Sequence, residues 1–468
     1  MLFNSQLFLL VFLPIVLAAF YGCARLPDPA GRIARQLVLV AASLVFYAAW
    51  NWRFVPVLVL LALATWWIGR RYADTGRSIW PIAGIVLNLS VLGVFKYANF
   101  IATNVDSLVG ASHAAWSIVL PLGISFFVFQ KISYLVDLKR GGHAYARQHR
   151  YGLLDFSEFV TFFPALVAGP LVRHNEIIPQ FEKPVLTART AENLSRGAVL
   201  FLIGLTKKAG IADTIAPISD PLFAKAAAGT ILNGAEAWAA SIAYSLQIFF
   251  DFSGYSDMAI GLALMFGLTL PVNFNAPYRS TSLRDFWRRW HITLSRFLRD
   301  YLYIPLGGNR SGVARQCVNL GLTMLLGGLW HGAAWTFVVW GGLHGFGLAV
   351  NHLWTRAGLR MPSWLGWIVT MLFVIVGWVV FRSPDFGTAW HVLGSMAGLH
   401  GIGGLHLRNA VVFWIAIAVA LIGPSSQKAA LSMLRPSPWL AVPAGAAFVF
   451  LLFLTGGRVP NEFIYFQF

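Results

Sequence analysis

The chain alternates between long apolar stretches and short, mostly basic connections along nearly its whole length. A membrane-crossing helix needs about 20 apolar residues to cover a ~30 Å hydrocarbon layer at ~1.5 Å per residue. By that measure the first third predicts spans at about residues 3–22, 36–50, 54–69, 79–96 and 117–137. The first span leads to Arg25, Arg32 and Arg35, the third to Arg70, Arg71 and Arg77, and the fifth to Lys139, Arg140, Arg147 and Arg150. The connections between them are a tight turn at Asn51–Arg53 and a polar loop through Asn104, Asp106 and His113. Basic loops stay cytoplasmic, which places the N-terminus outside. Phe3–Phe20 has no preceding Lys or Arg, and Tyr21 and Gly22 are unsuited to lipoprotein cleavage before Cys23, so this segment reads as an uncleaved first span.

Beyond residue 150 the pattern loosens. Phe156–Val172 contains Pro164 and Pro170 and is short for a span, which suits a re-entrant or in-plane helix lining a cavity. Ala198–Ile215 reads as a span with a wet end at Lys207, Lys208 and Asp213, stopped by Pro217. Ala237–Phe266 reads as one long helix carrying Asp251 and Asp257. A separation of six residues gives these carboxylates different partners, and Asp251 is expected to pair with a buried Arg or cap a broken helix. Further spans fit at about 341–355, 363–381, 410–423 and 438–456. The fold class is an all-α polytopic membrane protein of about eleven spans plus one or two half-helices, in a single domain over residues 1–468.

Two stretches depart from this plain pattern. Leu320–Trp340 (LGLTMLLGGLWHGAAWTFVVW) is 21 residues long, enough for a span, and its one ionisable group is His331 near the middle. No Asp, Glu, Lys or Arg occurs from Gln316 to Thr355. An imidazole at that depth faces a cavity, a partner or a substrate, while Gly327, Gly328 and Gly332 admit another backbone or a thin ligand. The alternative is a packing histidine bonded to a neighbouring carbonyl. The second stretch, Ser282–Tyr303 (SLRDFWRRWHITLSRFLRDYLY), is too charged to span. Ser282 followed by Asp285 resembles a capping box that starts a helix. Trp287, Trp290, His291, Leu294, Phe297, Leu298 and Tyr301 then recur at three- and four-residue spacing as one apolar face. Arg284, Arg288, Arg289 and Arg296 project elsewhere, either towards lipid phosphates or towards an anionic ligand held bidentately.

Composition agrees with the pattern. The 468 residues are 57% hydrophobic and 11% charged, with a mean hydropathy of +0.67, against about 25% charged in soluble domains. The net charge of +17 is spread over short loops, so topology and anionic lipid account for it without nucleic acid. Cys23 and Cys317 show no zinc spacing and no disulfide framework. HExxH, Walker A and dinucleotide fingerprints are missing, and no metal or tightly bound cofactor is expected.

Residues 249–267 (FFDFSGYSDMAIGLALMFG), 273–310 (NFNAPYRSTSLRDFWRRWHITLSRFLRDYLYIPLGGNR) and 319–345 (NLGLTMLLGGLWHGAAWTFVVWGGLHG) together resemble the membrane-bound O-acyltransferases. The likeness is to the bacterial branch that acetylates alginate, with relatives acting on cellulose and peptidoglycan and a more distant one D-alanylating teichoic acid. The opening MLFNSQLFLLVFLPIVL, VFKYANF at 94–100, LPLGISFFVFQKISYLVD at 120–137 and the closing FIYFQF resemble the same branch.

The resemblance implies about eleven helices with re-entrant and interfacial ones around a central tunnel, the core motifs lying at about 245–345. It implies that His331 is the principal catalytic residue and that His291 faces the same tunnel. Acyl transfer from a thioester to a hydroxyl then makes His331 the base, with His291 orienting it, polarising the carbonyl or holding the acceptor. No Ser or Cys elbow is visible, so direct transfer is expected rather than an acyl-enzyme. The implied donor is cytoplasmic acetyl-CoA, its phosphates near Arg284, Arg288, Arg289 and Arg296 and its pantetheine arm beside Trp287 and Trp290. The implied partner is a periplasmic or membrane-anchored acetyltransferase within an exopolysaccharide system of the bacterial inner membrane. Phe463, Tyr465, Phe466 and Phe468 serve either partner docking or interface anchoring. The alternative to an enzyme is a transporter or flippase without acyl chemistry, which only Asp251 and Asp257 favour.

Overall fold

The structure, a computed structural model, describes residues 1–112, 114–310, 312–405, 407, 409–434, 437–456 and 463–464. Among these, every regular element is helical. In chain order the α-helices are α1 (Leu13–Cys23), α2 (Ala30–Asn51), α3 (Val55–Thr75), α4 (Ile79–Leu92), α5 (Ala98–Val109), α6 (Ile124–Gln148), α7 (Leu153–Thr161), α8 (Phe163–Leu166), α9 (His174–Phe181) and α10 (Thr190–Leu205). They continue as α11 (Asp213–Ala227), α12 (Gly234–Met265), α13 (Leu283–Arg289), α14 (Ile292–Leu298), α15 (Gly312–His331) and α16 (Trp335–Arg356). The last are α17 (Ser363–Arg382), α18 (Phe386–Met396), α19 (Ala410–Ile422), α20 (Ser426–Lys428) and α21 (Pro438–Gly456). Among the described residues, five helical runs are long and apolar enough to cross a membrane: Ala30–Thr75, Ile79–Val109, Gly234–Met265, Ser363–Arg382 and Pro438–Gly456. The pair Ala410–Ile422 and Ser426–Met433, bent by 78°, makes a sixth if taken as one. The other expected spans fall on shorter, broken or more polar helices.

The described residues fall into two compact units, those in Met1–Leu202, Tyr255–Pro271 and Leu434–Glu462 forming one and those in Ile203–Gly254, Val272–Met433 and Phe463–Phe468 the other. In the first unit, α4 and α6 approach where Gly84 leaves room for Leu135 and Ile68. The stretch expected to be re-entrant becomes α7 and α8, and residues 156–172 are buried almost without interruption. Phe163 at the start of α8 packs edge-on to Phe12 (5.5 Å), and its N–H donates to Ser43 Oγ at 3.0 Å. A non-helical backbone at that depth needs such partners.

Three sequence readings change. Pro217 does not stop a helix: it lies inside α11, just after a π-helical stretch at Thr206–Ala212 that already shifts the hydrogen-bond register. Lys208 is no wet end; it is buried, with its ammonium 2.8 Å from Asp213 and 2.7 Å from Asp251. The cation facing Asp251 is therefore a lysine rather than an arginine. Asp251 lies in the second unit and Asp257 in the first, both buried.

The third change decides the site. Leu320–Trp340 is not one span. α15 ends at His331, residues 332–334 are non-helical, and α16 returns from Trp335. His331 is thus a helix-terminal residue. The two helices form an antiparallel hairpin along a seam of glycines. A Cβ on Gly328 would strike the Phe337 carbonyl, one on Gly341 the Met324 carbonyl, and one on Gly345 would lie 2.8 Å from Gly321 Cα. Small residues let backbones touch in this way inside a membrane, where no aqueous hydrophobic force presses helices together.

Candidate active site

The amphipathic segment starts where the sequence placed it, with Ser282 Oγ accepting from Asp285 N–H at 3.2 Å. It does not continue as one helix. α13 and α14 are separated at Trp290 and His291, and His291 takes the left-handed conformation (φ 41°, ψ 55°). For a non-glycine residue this costs roughly 1–2 kcal/mol and persists only where the surroundings enforce it. Here the enforcing group is the extended segment before α13. Ile292 N–H donates to Asn273 O (2.9 Å) and Asn275 N–H to Arg289 O (2.9 Å), so that segment takes up hydrogen bonds the broken helix lacks.

Asn273 also fixes the imidazole. Its Oδ1 accepts from Thr293 N–H at 3.3 Å and Thr293 Oγ1–H at 2.9 Å, which identifies that atom as the oxygen. The same oxygen lies 3.1 Å from His291 Nδ1, so Nδ1 carries the proton and Nε2 the lone pair in the neutral ring. Phe252 of α12 meets the ring edge-on at 4.7 Å, and Phe274 stacks above it at 6.4 Å.

His331 reaches the same neighbourhood from the hairpin. Its ring lies 4.9 Å from Trp330, 5.2 Å from Trp340 and 5.3 Å from Phe381, each near perpendicular. Trp330 is the common neighbour, since its ring also lies 6.2 Å from His291. The two sequence candidates thus share one tryptophan neighbour. Gly332 is required beside them, because a Cβ there would run into the Phe337 ring, which itself packs on Phe381 (4.9 Å).

The expected donor-binding residues divide. Arg284 and Arg288 are exposed on the outer side of α13, Arg289 is half-buried and holds Asp285 (2.9 and 3.0 Å), and Arg296 is half-buried on α14. Trp287 and Trp290 point inwards. Trp290 is 1% exposed, stacked on Phe286 (5.6 Å) and against Trp378 (4.9 Å), and builds the aromatic wall behind the histidines.

The sequence reading missed His344. It is buried, 4.7 Å from Trp340, and its Nδ1 accepts from Trp287 Nε1–H at 3.2 Å. An indole only donates, so the neutral ring carries its proton on Nε2, the opposite tautomer to His291. The available signal was its place in the same charge-free stretch as His331. Phe463, read as docking or anchoring, is instead 2% exposed and packs on Phe252 at 5.7 Å, while Tyr465, Phe466 and Phe468 lie outside the described residues. Cys317 lies on α15 with His331, 14 residues before it, and both cysteines are free thiols. Among the described residues no group of three or more His, Cys, Asp or Glu is placed to hold a metal.

Residues 82–383 match the profile of MBOAT, the membrane-bound O-acyltransferase family. The chain belongs to this family. Relatives include the peptidoglycan O-acetyltransferase of Helicobacter pylori, 41% identical over 87% of this chain and 82% of that protein. The probable alginate O-acetylase AlgI of Pseudomonas aeruginosa is 42% identical over 85% and 75%, respectively. The teichoic acid D-alanyltransferase of Bacillus subtilis is more distant, at 27% over 58% and 71%. As a membrane-bound O-acyltransferase with several apolar helices, the chain is an enzyme and a multi-pass membrane protein, which removes the transporter alternative.

Proposed function

We propose that this O-acyltransferase takes an acetyl group from a cytoplasmic thioester of the acetyl-CoA class and delivers it for O-acetylation of a cell-surface polysaccharide. The observation that carries the reading is that His291 and His331 both lie against Trp330, in a family that moves acyl groups to hydroxyls. The acceptor oxygen attacks the thioester carbonyl carbon as His331 takes its proton. The C–S bond then breaks, and the thiolate leaves with that proton. His331 ends α15, where the partial negative charge of the helix terminus favours a cation forming on the ring. His291, its ring held by Asn273 and packed on Trp330, shapes the acceptor's approach to His331.

The exposed Arg284 and Arg288, with Arg296, form the docking ground for the donor's phosphates, and Trp287 and Trp290 wall the path of its thioester arm. The relatives' names point to alginate or peptidoglycan as the polymer class. The hydroxyl acceptor is supplied by a separate acetyltransferase on the outer side of the bacterial inner membrane, with the N-terminus on that side. Polymer-linked acetate in cells carrying His331→Ala, at membrane abundance equal to the parent, tests the reading. Loss of acetate is expected, and undiminished acetate removes His331 as the base.

A further inference from the structure

Behind His291 lies an ionic cluster that the proposed chemistry does not use. Gly254 lets α12 pass against the chain at Gly204 and Lys208, where a Cβ would come within 2.7 Å of the Gly204 carbonyl and 3.1 Å of the Lys208 nitrogen. That close approach sets the Lys208 ammonium between Asp213 (2.8 Å) and Asp251 (2.7 Å). Asp251 Oδ1 faces that ammonium, and Oδ2 of the same buried side chain needs a donor of its own, because a bare buried carboxylate oxygen is costly. The donor is the backbone of a segment more than two hundred residues away: Ile464 N–H donates to Asp251 Oδ2 at 2.9 Å. The preceding Phe463 lies on Phe252, the residue after Asp251, and Phe252 in turn abuts the His291 ring. Phe463 and Ile464 are both buried, at 2% and 8% exposure.

We propose that Asp251, held by Lys208, is the anchor that seats the segment at Phe463–Ile464 against Phe252, and that this seating positions the neighbouring His291 for acyl transfer. Asp251 is then a positioning residue: it touches neither substrate nor the reacting atoms, and acts through Phe252. The anchor is specific to a backbone donor, so it demands an N–H at 464 and a side-chain oxygen at 251 rather than any particular side chain at 464. This proposal rests on the reading of His291 and His331 as the acyl-transfer pair.

The test uses the full chain carrying Cys23→Ser and Cys317→Ser, with Ile464→Cys as a reporter that keeps its N–H. Maleimide labelling at 464 is slow while the segment is seated. With Asp251→Ala, labelling rises by at least ~10-fold, as expected for a segment released to solvent or lipid, and polymer acetate is lost. Asp251→Asn keeps an oxygen for the N–H and restores both slow labelling and acetate. Ile464→Pro, made without the reporter, removes the donor N–H and loses acetate at normal membrane abundance. Parental labelling in Asp251→Ala, or faster labelling with acetate intact, overturns the proposal, as does full acetylation by Ile464→Pro. His331→Ala separates the two readings: it loses acetate with slow labelling unchanged, whereas retained acetate defeats the catalytic reading and leaves the labelling comparison to judge the anchor.

Discussion

The two histidines sit at two helix breaks that are enforced by opposite means. At the α13–α14 break the backbone is strained, with His291 in the left-handed region, and hydrogen bonds from the 273–275 segment hold it there. At the α15–α16 break the residue is unstrained, and close packing defines the geometry: glycines 328, 332 and 341 admit backbone and the Phe337 ring, and three aromatic rings surround His331. Asn273 fixes the first ring through a hydrogen bond, and aromatic rings wall the second. On the proposed roles, a base that must accept and release a proton benefits from a walled pocket, while a ring that shapes the acceptor's approach benefits from a fixed orientation.

The contrast can be broken most severely at His331 itself. His331→Ala is expected to lower transfer by about 10²–10⁴-fold, the usual range for a lost general base, measured as polymer-linked acetate per unit of membrane protein. Gly332→Ala comes next. Its Cβ would occupy the place of the Phe337 ring, and overpacking of this kind costs about 1–3 kcal/mol, seen as a lower midpoint in detergent thermal unfolding. Combining it with Phe337→Leu should recover part of that loss, because the clash is steric; no recovery would show that the seam is not set by shape.

At the other break, Asn273→Ala removes an acceptor used three times and is expected to cost about 1–3 kcal/mol while lowering kcat. His291→Asn sharpens the point. Asn tolerates the left-handed conformation, so stability should stay near the parent value while transfer falls, and a fall in stability alone would assign His291 to packing. The smallest effect is expected on the outer face. Arg284→Gln and Arg288→Gln should raise the donor KM by a few fold, more at low salt than at high, since exposed charges are screened; an unchanged KM removes them from donor docking.

Much of this fold was legible because apolar length and basic loops report on it directly, as in α3, α12, α17 and α21. The candidate site was legible because an imidazole in a charge-free stretch is conspicuous whatever the helix does around it. What was hidden is backbone conformation. Three-and-four spacing through Trp290 and His291 reads as one continuous face, and nothing in that periodicity records that Asn273, eighteen residues earlier, pulls the chain into a break. The span around His331 misled for a similar reason: its glycines signalled close approach, but the approaching backbone was the next turn of the same chain. His344 was missed because its indole partner, Trp287, lies 57 residues away. The role of Ile464 was beyond sequence reasoning altogether, since it acts through a main-chain N–H that every residue but proline possesses.

The glycine seam between α15 and α16 has a thermal consequence. Opening that hairpin within a bilayer exchanges helix–helix contact for lipid contact and exposes little apolar surface to water, so its heat-capacity change should be near zero. The seam is held by dispersion between closely approaching backbones, with no room for a Cβ at Gly328 or Gly341. Dispersion does not fade on cooling as water-driven burial does. The wall of His331 should therefore hold its shape in the cold, with any low-temperature loss of activity arising in the lipid and the moving substrates.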